Sequence, residues 1–332
     1  MDLSGYSLDT VQNRGEFLLC RGHQRMRASS HPSSVLVLMP RSEPLRPESR
    51  RMLEHEHSLM AQLDPTWAVR PMALADDGRR MVLVLEDPGG EPLDPRLGTL
   101  MDLRLFLRLA VALSGAVREL HRRRIIHKDI KPANVMFKPS TGQVWLMGFG
   151  IASRFARERQ SAEPPEFIAG TLAYMAPEQT GRMNRSIDSR ADLYALGVTL
   201  YEVVTGTLPF TASDPMEWVH CHIAKQPVPP AERRKDVPRS VSAIIGDNAR
   251  GPSGGRSRRA HLSREQLLQV STRPYPGGSV FAHTGTVPGR GAPPHRKAAR
   301  GEYPARKARR GHLRNRQSAQ PRRRLDHVIG RA

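Results

Sequence analysis

The 332-residue chain has two cysteines, Cys20 and Cys221, too few for a disulfide framework, which suits a reducing compartment and a cytoplasmic location. No apolar run approaches the ~18 to 20 residues that a membrane-crossing helix needs. The N-terminus lacks a basic segment followed by an apolar one, so neither a leader nor membrane insertion is expected. Aromatics are scarce, and only Tyr275, Phe281 and Tyr303 follow Gly246. That stretch has too little apolar material to offset the entropy of ordering it. No lysine precedes Lys128.

What is abundant is positive charge, unevenly spread. The formal net charge is +20, but residues 247–332 hold 20 of the 52 Lys+Arg and 4 of the 32 Asp+Glu, so +16 lies there and +4 in residues 1–246. The first part therefore reads as a balanced globular domain and residues 246–332 as an Arg/Gly/Pro-rich tail, disordered or read out of frame. Basic tails bind nucleic acid when aromatic side chains interleave with the cations, and here they do not, so nucleic acid is a minor reading. His220-Cys221-His222 could tempt a metal assignment. Adjacent side chains point different ways and no second ligand cluster follows, so a surface helix is the better reading.

Residues 1–87 alternate short apolar runs with polar breaks. Phe17–Cys20, Val35–Leu38 and Met81–Leu85 read as strands, and Pro47–Leu63, with Leu53, Met60 and Leu63 at helical spacing, reads as a helix. Asp87-Pro88-Gly89-Gly90 is a hinge-like loop. From Met101 the period becomes helical, with Leu105, Leu109, Ala112, Ala116 and Leu120 on one face. A hairpin follows, Val135–Phe137 and Val144–Met147 about Thr141-Gly142, then a buried helix over Ala191–Thr205. Pro215–Lys225 reads as a further helix capped by Asp214, with proline at its first position. The periodicity fades beyond Ile245.

The chemistry is concentrated in His127-Lys128-Asp129-Ile130-Lys131-Pro132-Ala133-Asn134, which sets a carboxylate, a lysine and an amide at short fixed spacing. This octet resembles the catalytic loop of protein kinases of the serine/threonine class. The resemblance implies that Asp129 accepts or orients the proton of the attacking hydroxyl, Lys131 neutralises the transferred phosphate and Asn134 binds magnesium. Gly170-Thr171-Leu172-Ala173-Tyr174-Met175-Ala176-Pro177-Glu178 resembles the end of a kinase activation segment, which would bring Thr171 to the catalytic aspartate and lysine. Asp192 matches the aspartate that anchors the catalytic loop, Glu56 matches the helix glutamate, and the adenine would bond the backbone beside Glu86. ATP and Mg²⁺ are the implied cofactors. The runs Pro177–Arg185 and Asp214–His222 are also similar to the kinase-like domain heading bacterial multi-sensor hybrid histidine kinases that carry an AAA-type ATPase.

The implied fold is α+β and two-lobed: a small β-rich lobe over residues 1–87 and a helical lobe over 88–245 that is cut short, since the expected two further helices give way at Gly246. With them goes the arginine expected to pair with Glu178. Three departures from a working kinase are visible. Gly148-Phe149-Gly150 stands where Asp-Phe-Gly belongs, removing a magnesium ligand. Metal stabilisation is worth several kcal/mol, and each ~1.4 kcal/mol is tenfold, so a loss of roughly a hundredfold or more in rate follows. Met39 or a neighbour replaces the phosphate-binding lysine, leaving Glu56 without its usual partner unless an arginine such as Arg21 substitutes. Asn13–Cys20 holds one glycine where the phosphate-covering loop has three. The sequence thus points to a kinase-like domain impaired in phosphoryl transfer that binds or regulates a signalling partner. The alternative is a slow active kinase with a protein substrate.

Overall fold

The computed structural model describes residues 3–25, 32–42, 44–76, 81–154, 171–181 and 186–250. The tail from residue 251, Gly170 and residues 182–185 of the motif runs lie outside the described residues.

The first lobe is a five-stranded antiparallel sheet in the order β1-β2-β3-β5-β4. Its strands are β1 (Tyr6–Arg14), β2 (Phe17–Gln24), β3 (Ser34–Pro40), β4 (Pro71–Asp76) and β5 (Met81–Glu86), with helix α1 (Pro47–Ser58) between β3 and β4. In β3, period-two alternation sends Leu36 and Leu38 to one face, in a cluster with Leu53 of α1, and Val35 and Val37 to the other. Strands β1 and β2 join at Gly15, whose φ of +67° suits a tight turn. Helix α1 stops at Ser58, short of the expected Leu63. Leu59 keeps αR geometry, a 3₁₀ turn over Met60–Gln62 follows, and Met60 faces solvent while Leu63 is buried.

The second lobe begins after the hinge with β6 (Glu91–Pro92) and helix α2 (Leu103–Arg122), started by Asp102, whose carboxylate accepts from the N–H groups of Arg104 and Leu105 at 3.0 and 3.1 Å. Its buried stripe runs through Phe106, Leu109, Leu113, Ala116 and Leu120, while Leu105 and Ala112 are only half-buried. Strand β7 (Ile125–Ile126) leads into the 127–134 loop, and the expected hairpin forms from β8 (Val135–Lys138) and β9 (Gln143–Leu146), with Val135 opposite Leu146. Strand β10 (Ser153–Arg154) pairs with β7. Helix α3 (Ser189–Thr205) is buried nearly all round, as its apolar run predicts. Helix α4 (Pro215–Ala224) starts as the sequence predicts, with the Asp214 carboxylate accepting from Met216 and Glu217 N–H. Short α5 (Pro230–Arg233) precedes α6 (Arg239–Asn248), which runs past Gly246 onto α3. A Cβ on Gly197 would lie 2.7 Å from the Ala249 nitrogen, so only glycine admits this contact. Residue Glu178 is buried in this region, with the charge of Arg190 acting on it. Among the described residues no helix is long and apolar enough to cross a membrane.

Candidate active site

The loop over 127–134 is built on Asp192, a fully buried carboxylate near the start of α3. It accepts from the His127 and Lys128 N–H groups at 2.9 and 2.8 Å, and His121 Nε2 lies 2.8 Å away. These bonds hold Lys128 at φ +68°, a left-handed conformation rare for a residue with a side chain. The imidazole of His127 is buried against Phe149, with ring centroids 4.7 Å apart, and its Nε2 donates to the Met147 carbonyl at 3.1 Å. Burial lowers the His127 pKa, so the ring stays neutral and Nδ1 can accept from the Asp129 N–H at 3.3 Å.

Four of the residues singled out in the sequence are brought together. Lys131 Nζ lies 2.8 Å from Asp129 Oδ2 and donates to Thr171 Oγ1 at 2.7 Å. Asn134 Nδ2 donates to Asp129 Oδ2 at 2.9 Å and to the Asp129 carbonyl at 2.6 Å. Thr171 N–H donates to Asp129 Oδ1 at 3.4 Å. This arrangement can present a carboxylate to a hydroxyl, with an ammonium alongside.

Residue Glu56 reaches the same place from α1. Its carboxylate is buried and accepts from the Gly148 N–H at 3.2 Å. Burial raises its pKa, opposed first by the charge of Arg14 and then by the Phe149 and Gly148 N–H groups. Beside it, His55 Nε2 donates to the Ala152 carbonyl at 2.7 Å, a second tie between α1 and the segment after Phe149. Glu86 is not brought to the site. Its carboxylate takes Arg70 Nε at 3.0 Å, and its own N–H donates to the Arg70 carbonyl at 2.9 Å.

On β3 the residue facing this centre is Leu38, which lines the cavity, while Met39 packs on the opposite face of the sheet. The arginine that comes near Glu56 is Arg14, not Arg21. Arg21 is committed to the hinge, with Nε 2.8 Å from Asp87 Oδ2 and Nη2 donating to the Gly90 carbonyl at 2.5 Å. Arg14, at the end of β1, lies among Glu56, Asp129 and Asp94; desolvation lowers its pKa and these three carboxylates oppose the shift. A Cβ at Gly148 would meet Arg14 Nη2 at 3.1 Å and Asn134 Oδ1 at 2.8 Å. Identity alone did not mark Arg14 in the sequence; the available clue was a buried glutamate without a lysine, facing a hairpin turn that carries one cation.

The cavity here has a volume of about 920 Å³ and is lined by Arg14, Phe17, Leu38, Asp129, Asn134 and Gly148 among others. None of residues 86–90 lines it. Magnesium takes hard oxygen ligands, commonly one or two carboxylates together with phosphate oxygens. Asn134 Oδ1 is a buried acceptor without a hydrogen-bond partner, which suits a cation. Gly148 offers no side-chain oxygen, and Arg14 Nη2 lies 3.1 Å from where a Cβ at 148 would be. Arg14 offsets part of the negative charge that Glu56, Asp129 and Asp94 bring to the cavity, so with one side-chain ligand missing these residues fit magnesium less well than a motif with a carboxylate at 148.

The chain matches the family model described as protein kinase domain over residues 40–251. It is 38% identical over 125 residues to the serine/threonine-protein kinase PknB of Mycobacterium tuberculosis, an overlap of 38% of this chain and 20% of that protein. It is 32% identical over 195 residues to the serine/threonine-protein kinase PksC of Streptomyces coelicolor, covering 57% of this chain and 34% of that protein. A probable serine/threonine-protein kinase of Corynebacterium efficiens is 36% identical over 129 residues, 39% of this chain and 19% of that protein. The aligned stretches thus span between about a fifth and a third of these relatives' own length.

Proposed function

This chain belongs to the protein kinase family, and from that premise we propose that it is a serine/threonine-kinase-like module impaired in ATP-dependent phosphoryl transfer, which acts by binding or regulating a protein partner in bacterial cytoplasmic signalling. The observation that carries this reading is the pairing of Gly148 with Arg14: the position that should supply a metal ligand supplies none, and a guanidinium stands beside it. Leu38 in the cavity wall adds an alkyl group where a phosphate-binding ammonium is needed. Without that lysine and with a metal ligand missing, the charge that develops on a transferring phosphoryl group meets Lys131 and an Arg14 whose charge is shared among Glu56, Asp129 and Asp94. The similarity of Asp214–His222 to the kinase-like domain of bacterial hybrid histidine kinases supports a place in a signalling protein.

A second reading, a slow active serine/threonine kinase, is favoured by the loop itself, where Asp129, Lys131, Asn134 and Thr171 are hydrogen-bonded as a working set. Transfer of the ATP γ-phosphate to a generic protein substrate separates the two, with Asp129→Ala as the control. The expected result is no transfer above that control. Transfer that disappears in Asp129→Ala overturns the impaired reading and establishes the slow kinase.

A further inference from the structure

We infer that the cavity beside Asp129 and Asn134 is a binding site for an organic monocation with an apolar body, an alkylamine in chemical class. Its ammonium meets the Asn134 amide oxygen and the surrounding carboxylates, while its chain lies along Phe17, Leu38, Leu53 and Ile151. This names the ligand class of the impaired-kinase site and rests on that reading.

Size and lining favour a mostly apolar ligand. At about 920 Å³ the cavity lies in the range of small-molecule pockets, which are largely apolar with a few placed polar groups. Its apolar wall is drawn from β2, β3, α1 and the segment after Phe149, through Phe17, Leu38, Leu53 and Ile151. The cavity does not open on the hinge. None of residues 86–90 lines it, and neither do Leu19, Leu36, Leu85 and Met136, which are at 0% exposure within one apolar cluster. A ligand here has no hinge backbone to bond, so the edge of a base gains nothing from it.

Charge decides the head group. Arg14, Arg46 and Lys131 line the cavity together with Glu16, Glu48, Glu56, Asp94 and Asp129. Two of the cations are already engaged: Arg46 Nη1 lies 2.7 Å from Glu16 Oε1, and Lys131 Nζ lies 2.8 Å from Asp129 Oδ2. That leaves Arg14 against Glu48, Glu56 and Asp94, a negative surplus that persists even with Glu56 protonated. Asn134 marks the place. It is fully buried, its Nδ2 donates to the Asp129 carbonyl and to Asp129 Oδ2, and its Oδ1 has no hydrogen-bond partner. A buried acceptor left without a donor is costly, and a ligand that brings one recovers that cost. An ammonium brings three donors and needs no octahedral set of hard oxygens, so the missing side chain at Gly148 is no obstacle to it. A carboxylate or phosphate head would meet the same surplus as repulsion.

Isothermal titration calorimetry of the full 332-residue chain tests this with octylamine, octanol and octanoate, three probes of one chain length with a positive, a neutral and a negative head. Octylamine should bind one-to-one and about tenfold tighter than octanol, with octanoate weaker than both. Leu38→Lys places an ammonium in the apolar wall and should weaken octylamine by at least about tenfold. If that variant does not unfold cooperatively, Glu48→Lys, in the exposed first turn of α1, is read instead. It should weaken octylamine by about threefold at low salt, a loss that fades near 0.5 M salt, roughly where screening shortens to a few Å. Octylamine that fails to bind, binds no tighter than octanol or octanoate, or keeps its full affinity in the variant read overturns the amine site and leaves the impaired-kinase reading standing. Transfer of the ATP γ-phosphate that disappears in Asp129→Ala overturns that reading instead.

Discussion

The catalytic loop and the strands above it border one cavity and have come to differ in what they contribute. The loop over 127–134 presents an aspartate, a lysine and an asparagine joined by hydrogen bonds. The roof, β1 to β3, presents Arg14, Phe17 and Leu38, with a single glycine at the turn and no lysine. The kinase family match falls on the same divide: it begins at Pro40, the last residue of β3, and takes in the loop. The difference lies in what each region does for the fold. His127, Asn134 and Asp192 are fully buried and satisfy one another's backbone neighbours, so the loop is part of the core whether or not chemistry occurs. The phosphate-facing surface of a roof strand serves a ligand first. It can take Leu38 or Phe17 at no cost to the sheet, because the ladder bonds are made by backbone.

The sharpest way to break this comparison is to remove the loop's anchor. Asp192→Ala deprives the buried His127 and Lys128 N–H groups of their acceptor and releases the positive φ of Lys128. The expected loss is about 3 to 5 kcal/mol, read as a lower midpoint in urea. Asp129→Ala, at the rim, should cost about 1 kcal/mol, because Asn134 keeps its bond to the Asp129 carbonyl. Equal losses from the two variants would mean the loop is held by its polar face and not by its core.

Next in size is Leu36→Ala in the roof. Leu36 is fully buried, opposite Leu85 in the β3-β5 ladder and in one apolar cluster with Met136, and its truncation should cost about 3 kcal/mol through lost transfer energy and the cavity left behind. A cost under about 1 kcal/mol would mean that the apolar cluster around Leu36 is already open to water.

The regions also differ in how much of them could be read from sequence. The β8-β9 hairpin, the buried α3 and the Asp214 cap follow from local pattern, because apolar runs, a Thr-Gly turn and an Asp-Pro start each have one cheap conformation. Strand β1 does not announce itself. Its sequence is polar, its middle residues face solvent, and it exists because its backbone pairs with β2. Strand β4 opens on Pro71 and pairs only with β5, so it too depends on a neighbour. In the site, Asp129, Lys131, Asn134 and Thr171 were legible since their spacing is the motif. Arg14 was not, because its place is set by the β1-β2 register and by the empty position at Gly148, both properties of the folded chain.

A smaller effect, within the second lobe, depends on pH. His222 of α4 is buried, and burial lowers its pKa; the Leu172 carbonyl can only accept, so Nε2 donates to it at 2.7 Å and Nδ1 accepts from Tyr194 at 2.6 Å. The folded chain therefore resists a proton that the unfolded chain takes up below the ordinary histidine value of about 6.5. Unfolded protein binds more protons there, so stability is fully present above that value and falls as the pH drops toward the lowered folded pKa. Buried His127 acts with the same sign, and Glu202, whose pKa burial raises, with the opposite one. His222→Gln should leave a shallower loss between pH 7 and 5 than the wild type, measured by urea denaturation at each pH. An unchanged slope would show that the ring is not held neutral between Tyr194 and Leu172.

The smallest change expected is at Thr171, where loop and activation segment meet in solvent. Its hydroxyl accepts from Lys131 Nζ at 2.7 Å, and the ammonium keeps Asp129 Oδ2 at 2.8 Å when that hydroxyl is removed. The Thr171 N–H bond to Asp129 Oδ1 is backbone and survives any side chain. Thr171→Val should therefore cost roughly 0.5 kcal/mol, within the range of an exposed hydrogen bond. Set beside Asp192→Ala, this gives a gradient across a single loop, steep at the buried anchor and shallow at the face turned to a substrate. A Thr171→Val cost above about 2 kcal/mol would reverse that gradient. The polar face would then be under the same constraint as the core, and the case for chemistry at Asp129 would strengthen accordingly.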